Sequence, residues 1–238
     1  MSGAMTVRTV IDGIERTRDD IRRWELERSR AALTLLKDRL GDERMRELPA
    51  PDLRAADRAM APLPEASGGA WRFRRDRDGV RGGSTPTGSW PGQGKLASGD
   101  RTALLTADPE HYLADPSDGV VEIVETIGSG PLRRFLAFHE GLPTEGEGYG
   151  THPVRIGGTG RLADGTEVVR VMHEFRDGPR GLCVRLTIQF PASAPEHVFT
   201  GRQWHFAREF LNRAEAAHAA TGATAAARPR DPRGLAPP

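Results

Sequence analysis

Between residues 182 and 190 the chain alternates, with Leu182, Val184, Leu186, Ile188 and Phe190 on one side and Cys183, Arg185, Thr187 and Gln189 on the other. A period of two predicts a strand with one buried and one wet face. Residues 120–127 are apolar and β-branched and predict another strand, and 132–140 a further one. Residues 154–162 and 168–175 flank Asp164-Gly165, a dipeptide that supplies the positive φ of a tight hairpin, and Asp177-Gly178 marks the next turn. Residues 70–80 alternate Trp71 and Phe73 with arginines and read as one more strand inside a stretch rich in Gly, Ser, Pro and Arg.

Helical periodicity dominates the two ends. Residues 6–40 read as one long helix with Val7, Val10, Ile14, Ile21, Trp24, Ala31 and Leu35 near a heptad spacing and a stop at Gly41. Such a helix needs a surface to pack on, either the rest of the chain or a second copy. Shorter helices are predicted at 42–48, 53–60, 100–105 and 109–113, the first two bounded by Pro49, Pro51 and Pro62. A final helix over 200–218 carries Trp204, Ala207, Leu211 and Ala214, broadened by Phe206 and Phe210. From 219 on no apolar stripe remains, which predicts disorder. The expected organisation is a helical segment 1–65, a linker or loop 66–99, a sheet-and-helix domain 100–218 and a tail 219–238. The class is α+β, with a curved antiparallel sheet wrapped around the last helix.

Three stretches carry a resemblance. ALLTADPEHYLADPSDGVVEIVETIGSGPLRRF (103–135), GRLADGTEVVRVMHEF (160–175) and GRQWHFAREFLNRAEA (201–216) resemble, in that order, the helix-and-second-strand segment, a later hairpin and the terminal helix of the START/polyketide-cyclase superfamily, the helix-grip fold. The resemblance covers roughly residues 90–218. It implies a cavity between sheet and helix for an apolar small molecule, such as a lipid, polyketide or aromatic metabolite, in a carrier or a cyclase-like enzyme. It brings no cofactor and no catalytic residue with it. GSWPGQG (88–94) is similar to the start of nitrobindin-like haem-binding β-barrels, which sets a haem protein as a lesser alternative.

Composition narrows the classes. With 34 basic and 33 acidic residues the net charge is +1, without the basic excess of a nucleic-acid binder. The single cysteine, Cys183, excludes an internal disulfide and a thiolate metal cluster, and fits a cytoplasmic setting. No apolar run is long enough to span a membrane.

Candidate chemistry centres on His173. Alternation places it with Val169, Val171 and Phe175, and if that face is the inner one it joins Leu186 of the neighbouring strand and Trp204 and Phe210 of the last helix in lining a ligand pocket. A core histidine bonded to a backbone carbonyl is the plainer alternative. The pairs His139-Glu140 and His173-Glu174 cannot each face one site, because adjacent strand residues point oppositely, and no metal-ligand spacing is present. Ser129 and Ser193 lack a nucleophile-elbow context, and the glycine clusters at 146–150 and 157–160 do not open helices. The glycine-rich loop 142–153 is a candidate gate, and the long first helix a candidate contact with a second copy or a protein partner.

Overall fold

The structure, a computed structural model, describes residues 9–12, 14–79, 101–139, 152–178 and 181–226. The chain divides into two units, 1–45 and 46–238. The first opens with a β-hairpin, β1 (Thr9–Ile11) against β2 (Ile14–Arg16), with Ile11 opposite Ile14 and Asp12 at φ 50. Helix α1 follows at Arg18–Glu47. Thr17 and Asp20 close its start reciprocally: the Asp20 N–H donates to the Thr17 hydroxyl at 3.1 Å, and the Thr17 N–H donates to the Asp20 carboxylate at 3.0 Å. The helix predicted from residue 6 therefore begins eleven or twelve positions later than expected. The β-branched residues Val10, Ile11 and Ile14 fit either period over so short a run, and tertiary pairing decides it. Gly41, at φ 70 and ψ 171, is non-helical and breaks α1 into two helical pieces, so the stop expected at Gly41 and the short helix expected over 42–48 are both present within this range.

The second unit contains α2 (Ala50–Met60), α3 (Leu63–Ala66), β3 (Trp71–Gly79), α4 (Arg101–Ala107), the six strands β4 (His111–Ser117), β5 (Val120–Ile127), β6 (Gly130–His139), β7 (Val154–Arg161), β8 (Glu167–Gly178) and β9 (Gly181–Pro191), and helix α5 (Glu196–Ala226). Pro51 occupies the first turn of α2, where its missing N–H has no partner to lose, so it opens a helix. Because α2 and α3 fall in this unit, the expected helical segment 1–65 is split near residue 45. The strand expected at 70–80 is present as β3, at one edge of the sheet.

Seven antiparallel strands form the sheet in the order β3-β9-β8-β7-β6-β5-β4. Strands β4 to β9 are a meander, and β3 closes the far edge beside β9, with Trp71 opposite Pro191. The residues expected as a helix at 109–113 instead enter the edge strand β4. Its Pro116 is tolerated there because an edge leaves one side of the strand without ladder bonds. The fold is thus α+β, a sheet that holds a long C-terminal helix against one face, here called the inner face.

Helix α5 runs on to Ala226, so residues 219–226, expected in a disordered tail, are helical. Alanine is the strongest helix former, and Ala216, Ala217, Ala219 and Ala220 carry the helix past its apolar face. The start of α5 is seated by two glycines. A Cβ on Gly201 would lie 2.8 Å from the backbone N and Cα of Gly128, in the β5–β6 turn, where Gly128 itself sits at φ +67. Arginines of β3 hold the same end: Arg74 pairs with Glu196 at 2.8 Å and the Arg72 guanidinium stacks 4.0 Å from the Phe199 ring centre.

Candidate functional site

Strand register decides which side chains meet α5. Val171, His173 and Phe175 of β8 stand opposite Ile188, Leu186 and Val184 of β9, and all six are buried. The His173 ring lies 5.4 Å from the Phe206 ring and 5.1 Å from Phe210. Its Nδ1 is buried without a hydrogen-bond partner, and burial pushes the imidazole down to about 4. Five of the six predicted pocket residues, His173, Val171, Phe175, Leu186 and Phe210, are therefore brought together as closely packed core. Trp204 is not among them: it is 75% exposed, and Leu211 of the same predicted stripe is 59% exposed. The buried face of α5 is rotated away from that stripe and carries Val198, Phe199, Arg202, His205, Phe206, Glu209, Phe210 and Arg213. Glu174 points to the opposite sheet face, 3.4 Å from Arg185.

Half of that helix face is polar or charged because the inner face of the sheet offers partners. His111 of β4 is opposite Glu125 of β5, and Arg134 of β6 is opposite Ile123, so all three side chains share the inner face. A bulge at Tyr112 makes this possible: without it His111 and Ala114, three apart, would point to opposite faces. The Glu125 carboxylate, fully buried, is ion-paired with Arg134 and accepts from Arg202 Nη1 at 2.6 Å, and its Oε2 lies 2.9 Å from His205 Nε2 and 3.3 Å from His111 Nε2. The two imidazoles approach each other at 3.0 Å, Nε2 to Nε2. His111 Nδ1 faces the Leu104 carbonyl at 2.6 Å, and His205 Nδ1 faces Asp108 Oδ2 at 3.8 Å and Glu110 Oε2 at 3.9 Å. Arg208 clamps both carboxylates, at 2.6 Å and 2.5 Å.

Burial shifts these groups away from charge. It pushes His111 down to about 4, Arg202 down to about 10, and Arg134 well below the ordinary guanidinium range. Burial also works against the Glu209 carboxylate, but Arg213 at 2.7 Å and the other cationic groups around it outweigh that and hold it below the usual range. Glu110 is drawn down to about 2, first by the His205 imidazole facing it and then by Arg208.

A pocket of about 430 Å³ lies beside the start of α5, and its lining residue Leu132 stands opposite Glu125 in the sheet. Ala55, Ala59, Met60 and Leu63 from α2 and α3 form one wall, and Ile127, Leu132 and Val198 form its back. Asp52, Ser129 and His197 are among the few polar groups lining it. None of these was marked as a site residue by sequence reasoning, which placed the cavity beside His173. Glu140, the GSWPGQG segment at 88–94 and residues 142–151 of the expected gate lie outside the described residues.

The polar cluster left a trace in sequence that apolar periodicity discards. Arg202, His205, Glu209 and Arg213 recur at helical spacing beside Phe206 and Phe210, and Glu125 is a lone inward charge in a strand of β-branched residues. Comparison with known proteins adds little. No family model and no curated protein matches the chain. A solved structure, protein MLL2253 from Mesorhizobium loti, is similar over 60% of this chain and 95% of its own, at 11% identity and a TM-score of 0.38. At those values the likeness identifies neither a fold nor a function for this chain. Among the described residues, no helix is long and apolar enough to cross a membrane.

Proposed function

We propose that the second unit binds an apolar small molecule, a lipid, polyketide or aromatic metabolite, in the pocket between α2, the β5–β6 turn and the start of α5, in the manner of the START/polyketide-cyclase proteins it resembles in sequence. The observation that carries this reading is the pocket itself. Its volume of about 430 Å³ and its mainly apolar lining suit a compact apolar ligand, since small-molecule sites span roughly 300–1,000 Å³ and combine apolar walls with a few polar groups. The element order from β3 on, one strand, then the helix α4, then a meander and a long last helix, supports the same reading. Asp52 and His197 are the polar handles at the mouth.

The test is titration with an apolar fluorescent probe such as anilinonaphthalene sulfonate. The native chain should bind it saturably. Ala59→Trp, at an exposed position that lines the pocket, should weaken binding at least tenfold with an unchanged circular dichroism spectrum. Equal binding by both chains overturns the reading.

A second reading rests on α1. Leu26, Leu36 and Leu40 are 51%, 56% and 38% exposed, and with the half-buried Leu33 they recur at heptad a and d spacing. A second copy of this helix is the occupant that such a stripe fits.

A further inference from the structure

We infer that His111, Glu125 and His205 form a binding site for a divalent first-row transition-metal ion of the Zn²⁺ kind. Three elements, β4, β5 and α5, deliver two imidazole nitrogens and one carboxylate oxygen to a single point. His111 Nε2, His205 Nε2 and Glu125 Oε2 lie 3.0, 2.9 and 3.3 Å from one another. Ligands held about 2.0–2.1 Å from one ion sit roughly 2.9 Å apart in an octahedron and roughly 3.4 Å apart in a tetrahedron, so one ion reaches all three atoms. The donor set is the two-histidine, one-carboxylate set that leaves coordination positions open.

The outer contacts of the two imidazoles point the same way. The Leu104 carbonyl oxygen is 2.6 Å from His111 Nδ1, so this nitrogen carries the proton and His111 Nε2 presents a lone pair to the cluster. His205 Nδ1 is buried without a hydrogen-bond partner and faces Asp108 and Glu110, so the tautomer its carboxylate neighbours favour also turns a lone pair inward. Carbonyl and carboxylate partners on the far nitrogen are what orient metal-bound histidines. With both rings in that form, two imidazole lone pairs meet at 3.0 Å beside a carboxylate oxygen that already accepts from Arg202, and a shared proton or a bound cation relieves their repulsion.

Charge sets a further condition. Around the cluster Arg134, Arg202, Arg208 and Arg213 balance Asp108, Glu110, Glu125 and Glu209. A dication adds two charges to a balanced, buried set, so the ion binds together with an anion on its open side. Arg202, 2.6 Å from Glu125, stands where that anion would be held. This makes the site distinct from the apolar pocket of the proposed function, and the two readings fail independently.

Co²⁺ titration of the full chain, followed by its visible spectrum, tests the inference. The expected result is uptake of one equivalent, tightened by added acetate and displaced by Zn²⁺. Binding should fall at least a hundredfold in His205→Gln and about tenfold in Glu110→Gln, which removes only an outer partner. Exposed His197, which lines the apolar pocket, provides the control: His197→Ala should bind as the native chain does. Should His205→Gln fail to fold, histidine side-chain NMR of the native chain decides: Co²⁺ must shift His111 and His205 before any other histidine. No uptake by the native chain, uptake unchanged by His205→Gln, or first shifts at other histidines overturns the inference and leaves a shared proton between the rings.

Discussion

His173 shows how a single side chain couples the core to pH. Glu209, Arg202 and Arg213 face it from α5, while the facing residues of β7 and β9, Ile156 and Leu186, are apolar. Burial holds its folded pKa near 4, below the ordinary 6.5. The unfolded chain therefore takes up a proton first as pH falls, and stability drops from about pH 6.5 until the folded group titrates near 4. A gap of this size corresponds to about 3 kcal/mol. Urea denaturation of the native chain and of His173→Phe at pH 7.5 and pH 4.5 should show the native chain losing more stability, by about 2–3 kcal/mol. Any packing offset of the larger ring is the same at both pH values and cancels. Equal losses would place a proton on folded His173 already at pH 4.5. Why Trp204 misleads is also a residue-scale matter. Its indole gives the predicted stripe its weight, but the sheet offers Glu125 and Arg134 to the helix, and charged residues with buried partners displace the tryptophan to solvent.

At the scale of elements, strands announce themselves where alternation meets a turn dipeptide. β7, β8 and β9 are legible because Asp164-Gly165 and the β-branched runs agree, and Gly165 indeed sits at φ +89. β4 is not legible: Pro109 and Pro116 and a bulge break its period, and only pairing with β5 makes it a strand. The polar cluster depends on that same bulge, so the residues that build it were out of reach of any local pattern. The seat of α5 yields a sharper test. Intrinsic propensity alone predicts that Gly201→Ala stabilises the helix by about 1 kcal/mol. The new methyl, however, would meet the Gly128 backbone at 2.8 Å, and backbone cannot move aside as a flexible side chain does. A net loss of about 1–3 kcal/mol is expected in urea denaturation. Gly130→Ala, whose added carbon meets nothing within 4 Å, should stay within about 0.5 kcal/mol of the native chain. A gain for Gly201→Ala would mean that the turn and the helix are less tightly seated.

For the whole molecule, the division near residue 45 separates two questions that composition alone merges. The sheet unit carries the pocket and the polar cluster. The first unit carries the exposed leucine stripe, and its consequence is association. Light scattering should find a dimer for the native chain and a monomer for Leu36→Arg, with probe binding in the pocket retained. A native chain that is monomeric at high concentration removes the second-copy reading and leaves the pocket untouched.

The pairing of β3 with β9 sets a timetable for the chain as it is made. Phe73 finds its partner in Gln189, more than a hundred positions later, so β3 stays without its sheet partner until β9 has left the ribosome. Strands β4 to β8 can pair locally in the meantime, each with the neighbour just synthesised. The early segment must wait unpaired, and loop closure over such a span is slow compared with a hairpin. During that interval β3 is an extended edge with open hydrogen-bonding groups. The arginines at 72, 74, 75 and 77 and the acids at 76 and 78 then have a second use: charge of both signs along a waiting strand keeps it from joining the wrong sheet before its own last strand arrives.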